Sequence, residues 1–439
     1  MIMYENMTSE LLDFLQKSPT CYHVVANLRA ELNGAGYAEL CEGGAWKLKE
    51  GGKYFVVRNE SSLIAFRIPR REFTGYQIAA AHSDSPSFKI KENPEMEAEG
   101  AYVKLNVEKY GGMLCAPWLD RPLSVAGKLV VREGDRFVCR LVNVDRDFVM
   151  IPNLAIHMNR KVNDGYTFNP QQDMLPLMGD LDAKGSFMDI IAGSAGVKKE
   201  DIAGSDLFLY SRTPGTVWGA HGEYLSAGHL DDLECGYANF RGFLDAAENR
   251  DSVPVYAIFD NEEVGSGTKQ GADSTFLADT LERIGVSCGR TAEQNRTAVA
   301  SSFMISADNA HAVHPNHGDV ADPVNRPVMN KGIVIKYNAN QKYTTDSVSA
   351  AIFRAVCGKA GVPVQEFTNR SDMAGGSTLG NISNAHVSLN TVDIGLAQLA
   401  MHSPYETAGT NDPAYLARAM RTFFSLALKD EGQGSYSIR

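Results

Sequence analysis

The apolar and polar positions divide the chain into three textures. The opening stretch, "MIMYENMTSELLDFLQKSPTCYHVVANL", spaces its apolar residues at helical intervals and breaks at "SPT" (18–20), which predicts two helices. "KYFVVRN" and "SSLIAFRIP" alternate like paired strands, and "YQIAAAHSDSP" (76–86) is a short apolar strand that stops at a polar turn. From about 90 to 228 the pattern is β-like, as in "YVKLNVEKY", "LSVAGKLVVRE" and "RFVCRLVNV", and 160–200 is rich in loop residues. After about 229 helix and strand alternate. "CGYANFRGFLDAAEN", "DSTFLADTLERIG" and "YTTDSVSAAIFRAVCGKAG" read as helices, and "VPVYAIFD" and "SSFMISAD" as buried strands. This predicts an α/β fold: a mostly parallel sheet covered by helices on both faces, interrupted by a β-rich inserted domain. The expected division is a catalytic domain in two segments, 1–90 and 229–439, around an insertion at 91–228. No internal repeat or low-complexity tract is visible.

Composition adds constraints. A chain of 439 residues suggests two domains, and 44% hydrophobic with 22% charged residues is ordinary for a soluble globular protein. The net charge of −11 argues against nucleic acid as a partner. It does not exclude acidic small substrates, because one buried lysine outweighs a remote field. The seven cysteines are odd in number and none has CxxC spacing, so neither a zinc–thiolate site nor a disulfide framework is expected. Scattered reduced thiols fit a cytoplasmic location. The N-terminus carries Glu5 and Glu10 and no basic leader, and no run reaches the ~18 apolar residues of a membrane span.

In an open α/β sheet, functional groups collect beyond the carboxyl ends of the strands. Polar clusters stand at such places here: His82-Ser83-Asp84 after "QIAAA", Asp260 to Glu263 after "VYAIF", Asp308 after "SSFMISA" and His402 after "GLAQLAM". Asp231-Asp232 opens a helix after "SAGHL". Imidazoles with carboxylates and no sulfur suit zinc or a similar divalent ion. Adjacent glutamates at the end of a buried strand repel unless a cation or a reacting proton is nearby. One of Glu262 and Glu263 would then bind metal, while the other takes a proton from water and returns it to a leaving amine. Gly265 and Gly267 would let the backbone turn close to the site. "HAVHPNHGD" places His311, His314 and His317 three residues apart, but Pro315 breaks any helix that would align them, so it reads as a loop near the site. Neither "GADS" nor "AGGST" (374–378) is a nucleophile elbow, and the latter reads as a glycine loop lining a pocket.

The chain resembles the aspartyl aminopeptidase family of dinuclear zinc exopeptidases, through "AAHSDSP", "WLDRPLSVAG", "IPNLAIHMNR", "HLDDL", "FDNEEVGSG", "ISADNAHAVHPN", "KGIVIKYNANQKY" and "GLAQLAMHS". The resemblance spans nearly the whole sequence. It implies two Zn²⁺ per chain, with other divalent ions acceptable in one site. His82 and Asp308 would hold one ion, Glu263 and His402 the other, and Asp231 would bridge them. Glu262 would be the general base, and Asp84 would orient the His82 imidazole. It further implies removal of N-terminal residues from peptides, commonly Asp or Glu, with Lys336 meeting the acidic side chain and Tyr343 lining the pocket. His157, in the insertion, would reach the active site of a neighbouring subunit. The family assembles into homo-oligomeric dodecamers built from dimers. A related dinuclear deacylase or carboxypeptidase, or a non-catalytic assembly protein that kept the fold, are the alternatives. The last would show loss of Glu262 or of a ligand, and neither is lost.

Overall fold

The computed structural model describes residues 4–249 and 251–438; Met1 to Met3 of the predicted first helix lie outside them. Helices Met7–Gln16 and Cys21–Gly34 flank the break at Lys17–Thr20. A nine-stranded sheet forms the body. Its centre is four parallel strands in the order Ser252–Phe259, Gly75–His82, Phe303–Ala307 and Asn390–Gly395. Every residue of the first three of these strands is buried, and they read as continuous apolar runs because both faces are covered. Outside this centre, Ser62–Arg67 and Lys53–Arg58 on one side and Ile333–Tyr337 on the other run antiparallel to their inner neighbours. Their apolar patterns do not specify direction, so the sheet is more mixed at its edges than the helix–strand alternation predicts.

Helices Met7–Gln16, Cys21–Gly34, Leu230–Asp245, Ser347–Ala360 and Asp412–Ser425 pack on one face, in a core that includes Phe14, Phe240, Phe353 and Phe424. Phe276–Ser287 and Ala292–Ala300 cover the other, around Phe276, Leu281 and Ala298. Ser347–Ala360 starts where Asp346 and Ser349 cap each other reciprocally and ends at Gly361, in the left-handed region.

A six-stranded antiparallel sheet takes all its strands from residues 87–211, with its own core around Phe88, Trp118, Leu129 and Phe187. The loop-rich stretch 160–200 also contains a helix, Phe187–Ala195. A third sheet pairs Thr216–Trp218 and Tyr224–Ala227 with Glu406–Gly409, Ala397–Leu399 and Ala310–His311. The last part of the stretch read as insertion therefore pairs with the later segment. Among the described residues no helix is long and apolar enough to cross a membrane.

Candidate metal centre

Strand register sets the floor of the site. His82 ends its strand level with Phe259, so the two chains turn out of the sheet side by side. Asp308 follows Phe303–Ala307, and Glu262–Val264 form one tight turn entered through Asn261, which has φ 63°. Asp231 and Asp232 sit at the start of the Leu230–Asp245 helix with non-helical dihedrals, and both carboxylates are buried. His402 (φ 66°) lies on the turn between Ala397–Leu399 and Glu406–Gly409.

These side chains converge. His82 Nε2 stands 3.5 Å from Asp231 Oδ1 and 3.7 Å from Asp308 Oδ1. His402 Nε2 stands 3.3 Å from Asp231 Oδ2 and 3.4 Å from Glu263 Oε2. Such separations are long for hydrogen bonds. They match the edge of a tetrahedron with corners about 2.0–2.1 Å from zinc, which is roughly 3.3 Å. Two groupings of potential ligand atoms share Asp231: His82–Asp231–Asp308 and Asp231–Glu263–His402. A third, His82–Glu262–Glu263, puts Glu262 against the same cluster. Asp231 Oδ1 and Glu263 Oε1 are buried without a hydrogen-bond partner. A divalent cation offsets the desolvation of such oxygens, and the nitrogen–oxygen donor set suits zinc. The residues fit the metal.

The electrostatics agree. Burial pushes the Glu262 carboxyl up to about 8, with Asp308, Asp84 and Asp231 adding to the effect against His82. Burial and Asp231 raise Glu263 well above the carboxylate range. Burial alone would depress His82, but Asp231, Asp308 and Asp84 outweigh it and raise the imidazole. Asp231 moves the other way, because His402 and His82 overcome its burial and hold it low. A divalent cation would compete with protons for the raised Glu262 and Glu263 carboxyls.

A second layer holds these groups. The imidazole Nδ1 of His82 is nearer the main-chain carbonyl of Asp84, at 3.0 Å, than its carboxylate, at 3.5 Å. The Asp84 carboxylate accepts the N–H groups of Glu262 and Glu263 at 3.1 and 3.2 Å and the Tyr110 hydroxyl at 2.7 Å. Asp232 Oδ2 accepts the His82 N–H at 3.1 Å. Glu406 accepts the N–H of His402 at 2.7 Å and of Asp231 at 3.0 Å. Sequence reasoning did not assign Tyr110, Asp232 or Glu406. The only signals were an acid beside Asp231 and another four residues after His402.

Lys336 is buried. Its ammonium donates to Asp308 through the carbonyl at 2.7 Å and Oδ2 at 3.3 Å, and to the Asn309 carbonyl at 3.3 Å. The buried Tyr343 ring lies 5.1 Å from it. His157 is exposed, with exposed Leu154, Ile156 and Met158 around it in sequence, and among the described residues it joins no metal grouping. Among the described residues, His311, His314 and His317 join no metal grouping. Ser274 Oγ donates to the Gly271 carbonyl and Ser377 Oγ to Asn381 Oδ1.

Residues 14–424 match the model of the M18 family, aminopeptidase I zinc metalloproteases. A protein named probable M18 family aminopeptidase 2, from Clostridium acetobutylicum, is 47% identical over 425 residues, covering 95% of this chain and 98% of its own. Among solved structures, one of an Ape4 and Nbr1 complex superposes with a TM-score of 0.93 at 34% identity, covering 96% of this chain and 86% of that one. The mApe1 dodecamer of S. cerevisiae gives 0.84 at 28% identity, covering 96% and 97%. A pair of imidazoles around a shared carboxylate, in a chain related along nearly its whole length to these enzymes, gives one conclusion: this protein belongs to the M18 family and is a zinc-dependent aminopeptidase.

Proposed function

We propose that the enzyme removes acidic N-terminal residues from peptides with two zinc ions per chain. His82, Asp308 and Asp231 hold one ion; Glu263, His402 and Asp231 hold the other. The observation that carries this reading is Asp231, whose two oxygens each face a different imidazole, at 3.5 and 3.3 Å. When bound, zinc supplies Lewis acidity that polarises a carbonyl and makes water acidic near neutral pH. Glu262 takes the proton from the attacking water and passes it to the leaving amine. Asp84 orients the Glu262–Glu263 turn and, through its carbonyl, the His82 ring.

Lys336 supplies the charge that favours an acidic side chain, with Tyr343 beside it. Its ammonium already serves Asp308, so a substrate carboxylate shares it. The preference is then near the lower end of a charged hydrogen bond, about ten-fold in rate. The two-segment division, 1–90 with 229–439 around 91–228, gives the insertion a role in assembly. His157, on an exposed apolar loop, completes the site of a neighbouring subunit. The mApe1 relative is a dodecamer, which supports a homo-oligomer here, built as dodecamers from dimers. A cytoplasmic location fits the cysteines.

The test is a panel of aminoacyl-p-nitroanilides with metal-free and zinc-restored protein. Zinc should restore cleavage, with Asp and Glu substrates about ten-fold ahead of Leu and Lys. Lys336→Met should lower all substrates to some degree through the freed Asp308, and the acidic ones about ten-fold further. A wild-type preference for Leu or Lys, or an equal loss on all substrates in the variant, would sink the acidic-pocket reading.

A further inference from the structure

The Tyr102–Tyr110 strand of the six-stranded sheet runs at its end directly into the metal cluster. The Tyr110 hydroxyl donates to Asp84 Oδ2 at 2.7 Å and accepts from Asn261 Nδ2 at 2.8 Å. Asn261 Oδ1 in turn accepts Thr268 Oγ1 and Gln270 Nε2 at 2.7 and 2.9 Å, so its amide orientation is fixed. Gly111 follows with φ +77°, and a Cβ there would stand 3.1 Å from Glu263 Cβ and 3.2 Å from its carbonyl oxygen. A side chain at this position would press on Glu263 from a backbone conformation that already disfavours one. A Cβ at Gly112 would stand 3.9 Å from His402 Nδ1, and the Leu114 N–H donates to the His402 carbonyl at 3.1 Å. Residues 110–114 therefore touch Asp84, Asn261, Glu263 and His402 in sequence.

We propose that Tyr110 is a positioning residue for the zinc centre: through Asp84 it fixes the Glu262–Glu263 turn and so aims Glu263 at the ion held with Asp231 and His402. This rests on the two-zinc reading above. Asp84 accepts one turn N–H on each oxygen. Tyr110 is a third donor, on Oδ2, and it resists rotation of the carboxylate away from the turn. The phenol is held edge-on to Phe208, with ring centroids 5.4 Å apart. It borders a cavity of about 250 Å³ with Tyr22, Asp206 and Asp260. Phenylalanine can keep these packing contacts and lose only the hydroxyl.

The test is zinc affinity by competition against a fluorescent chelator, with thermal unfolding of the metal-free protein alongside. Wild type should bind two ions. Tyr110→Phe should weaken one of them about ten- to a hundred-fold and lower kcat to a similar degree. KM should stay within about two-fold, because the residue acts on a ligand and not on the peptide. Metal-free unfolding should shift only modestly, for the lost hydrogen bonds to Asp84 and from Asn261, and by less than the zinc-bound protein shifts. Gly111→Ala should weaken the same ion and spare the other. Unchanged affinity for both ions in Tyr110→Phe, or an affinity loss matched by an equal loss of metal-free stability, overturns the proposal. Wild type that binds fewer than two ions instead defeats the two-zinc reading itself.

Discussion

Glu406 offers the sharpest test of how the ligands are held. It is fully enclosed, and its two oxygens accept the main-chain N–H groups of His402 and Asp231 at 2.7 and 3.0 Å. Burial and Asp231 raise its carboxyl well above the usual range, but both backbone donors favour the charged form. Glu406→Gln keeps the volume and the strand. The amide has one acceptor oxygen, so its NH₂ must face one of the two N–H groups. One charge-assisted hydrogen bond is lost, worth about 1.5–3 kcal/mol, and a buried donor is left without a partner. Asp231 and His402 are both ligand candidates for one ion. If the lost energy is spent on their orientation, affinity for that ion falls by roughly ten- to a hundred-fold. The assay is competition with a chelator at fixed pH, first ion and second ion resolved. Two unchanged affinities would show that Glu406 only stabilises the turn and strand, and that the metal arrangement does not depend on it.

Three further outcomes are expected. Glu262→Gln should retain zinc and lose about 10²–10⁴ in kcat, whereas Glu263→Gln should lose metal occupancy; metal analysis and kinetics on both variants would reveal a reversed assignment. His157→Phe should lose turnover at normal zinc content, and co-assembly with Glu262→Gln should partly restore it; proven mixed oligomers without restored activity would place His157 outside the chemistry. Asp412 lies outside the metal cluster, accepts the N–H groups of Asn330 and Gly332, and is pushed by burial from 3.8 to about 7. A raised folded-state pKa gives stability that is complete below about pH 4 and lost as pH rises through 7, here about 4 kcal/mol. Denaturation of metal-free protein at pH 4 and pH 8 should show that loss shrink in Asp412→Asn; equal losses in both proteins would contradict it.

The strand ends carrying His82, Glu262, Glu263 and Asp308 were legible because a strand buried on both faces is an unbroken apolar run, and the polar residue after it marks the edge of the sheet. The inserted β-rich region announced itself through alternation. Tyr110, Asp232 and Glu406 were not legible. Tyr110 and Asp232 meet partners 26 and 150 residues away, and Glu406 ties nearby His402 to Asp231, 175 residues away; no periodicity reports such contacts. The third sheet stayed hidden for the same reason, since its short strands come from three distant stretches. Lys336 came from the family resemblance alone, and its engagement with Asp308 depends on strand neighbours that sequence does not display.

The chain leaves the large sheet at His82 and enters the six-stranded sheet at Ser87, then returns through Tyr224–Ala227 to Asp231. The outgoing junction lies within a few residues of His82, and the return path through the third sheet ends within a few residues of Asp231. Mechanically, the six-stranded sheet is a beam joined to the candidate centre at its Ser87 end, while its Ser211 end passes first through the third sheet. A force applied to that sheet by a neighbouring molecule reaches the candidate centre through the His82–Ser87 junction and through residues 110–114 against Asp84, Asn261 and His402, and reaches the rest of the protein through Lys128 on the Asn59 carbonyl as well. Cutting the sheet out and joining the flanks would keep all five candidate ligand residues in the sequence and still remove the Tyr110 and Leu114 contacts to Asp84 and His402.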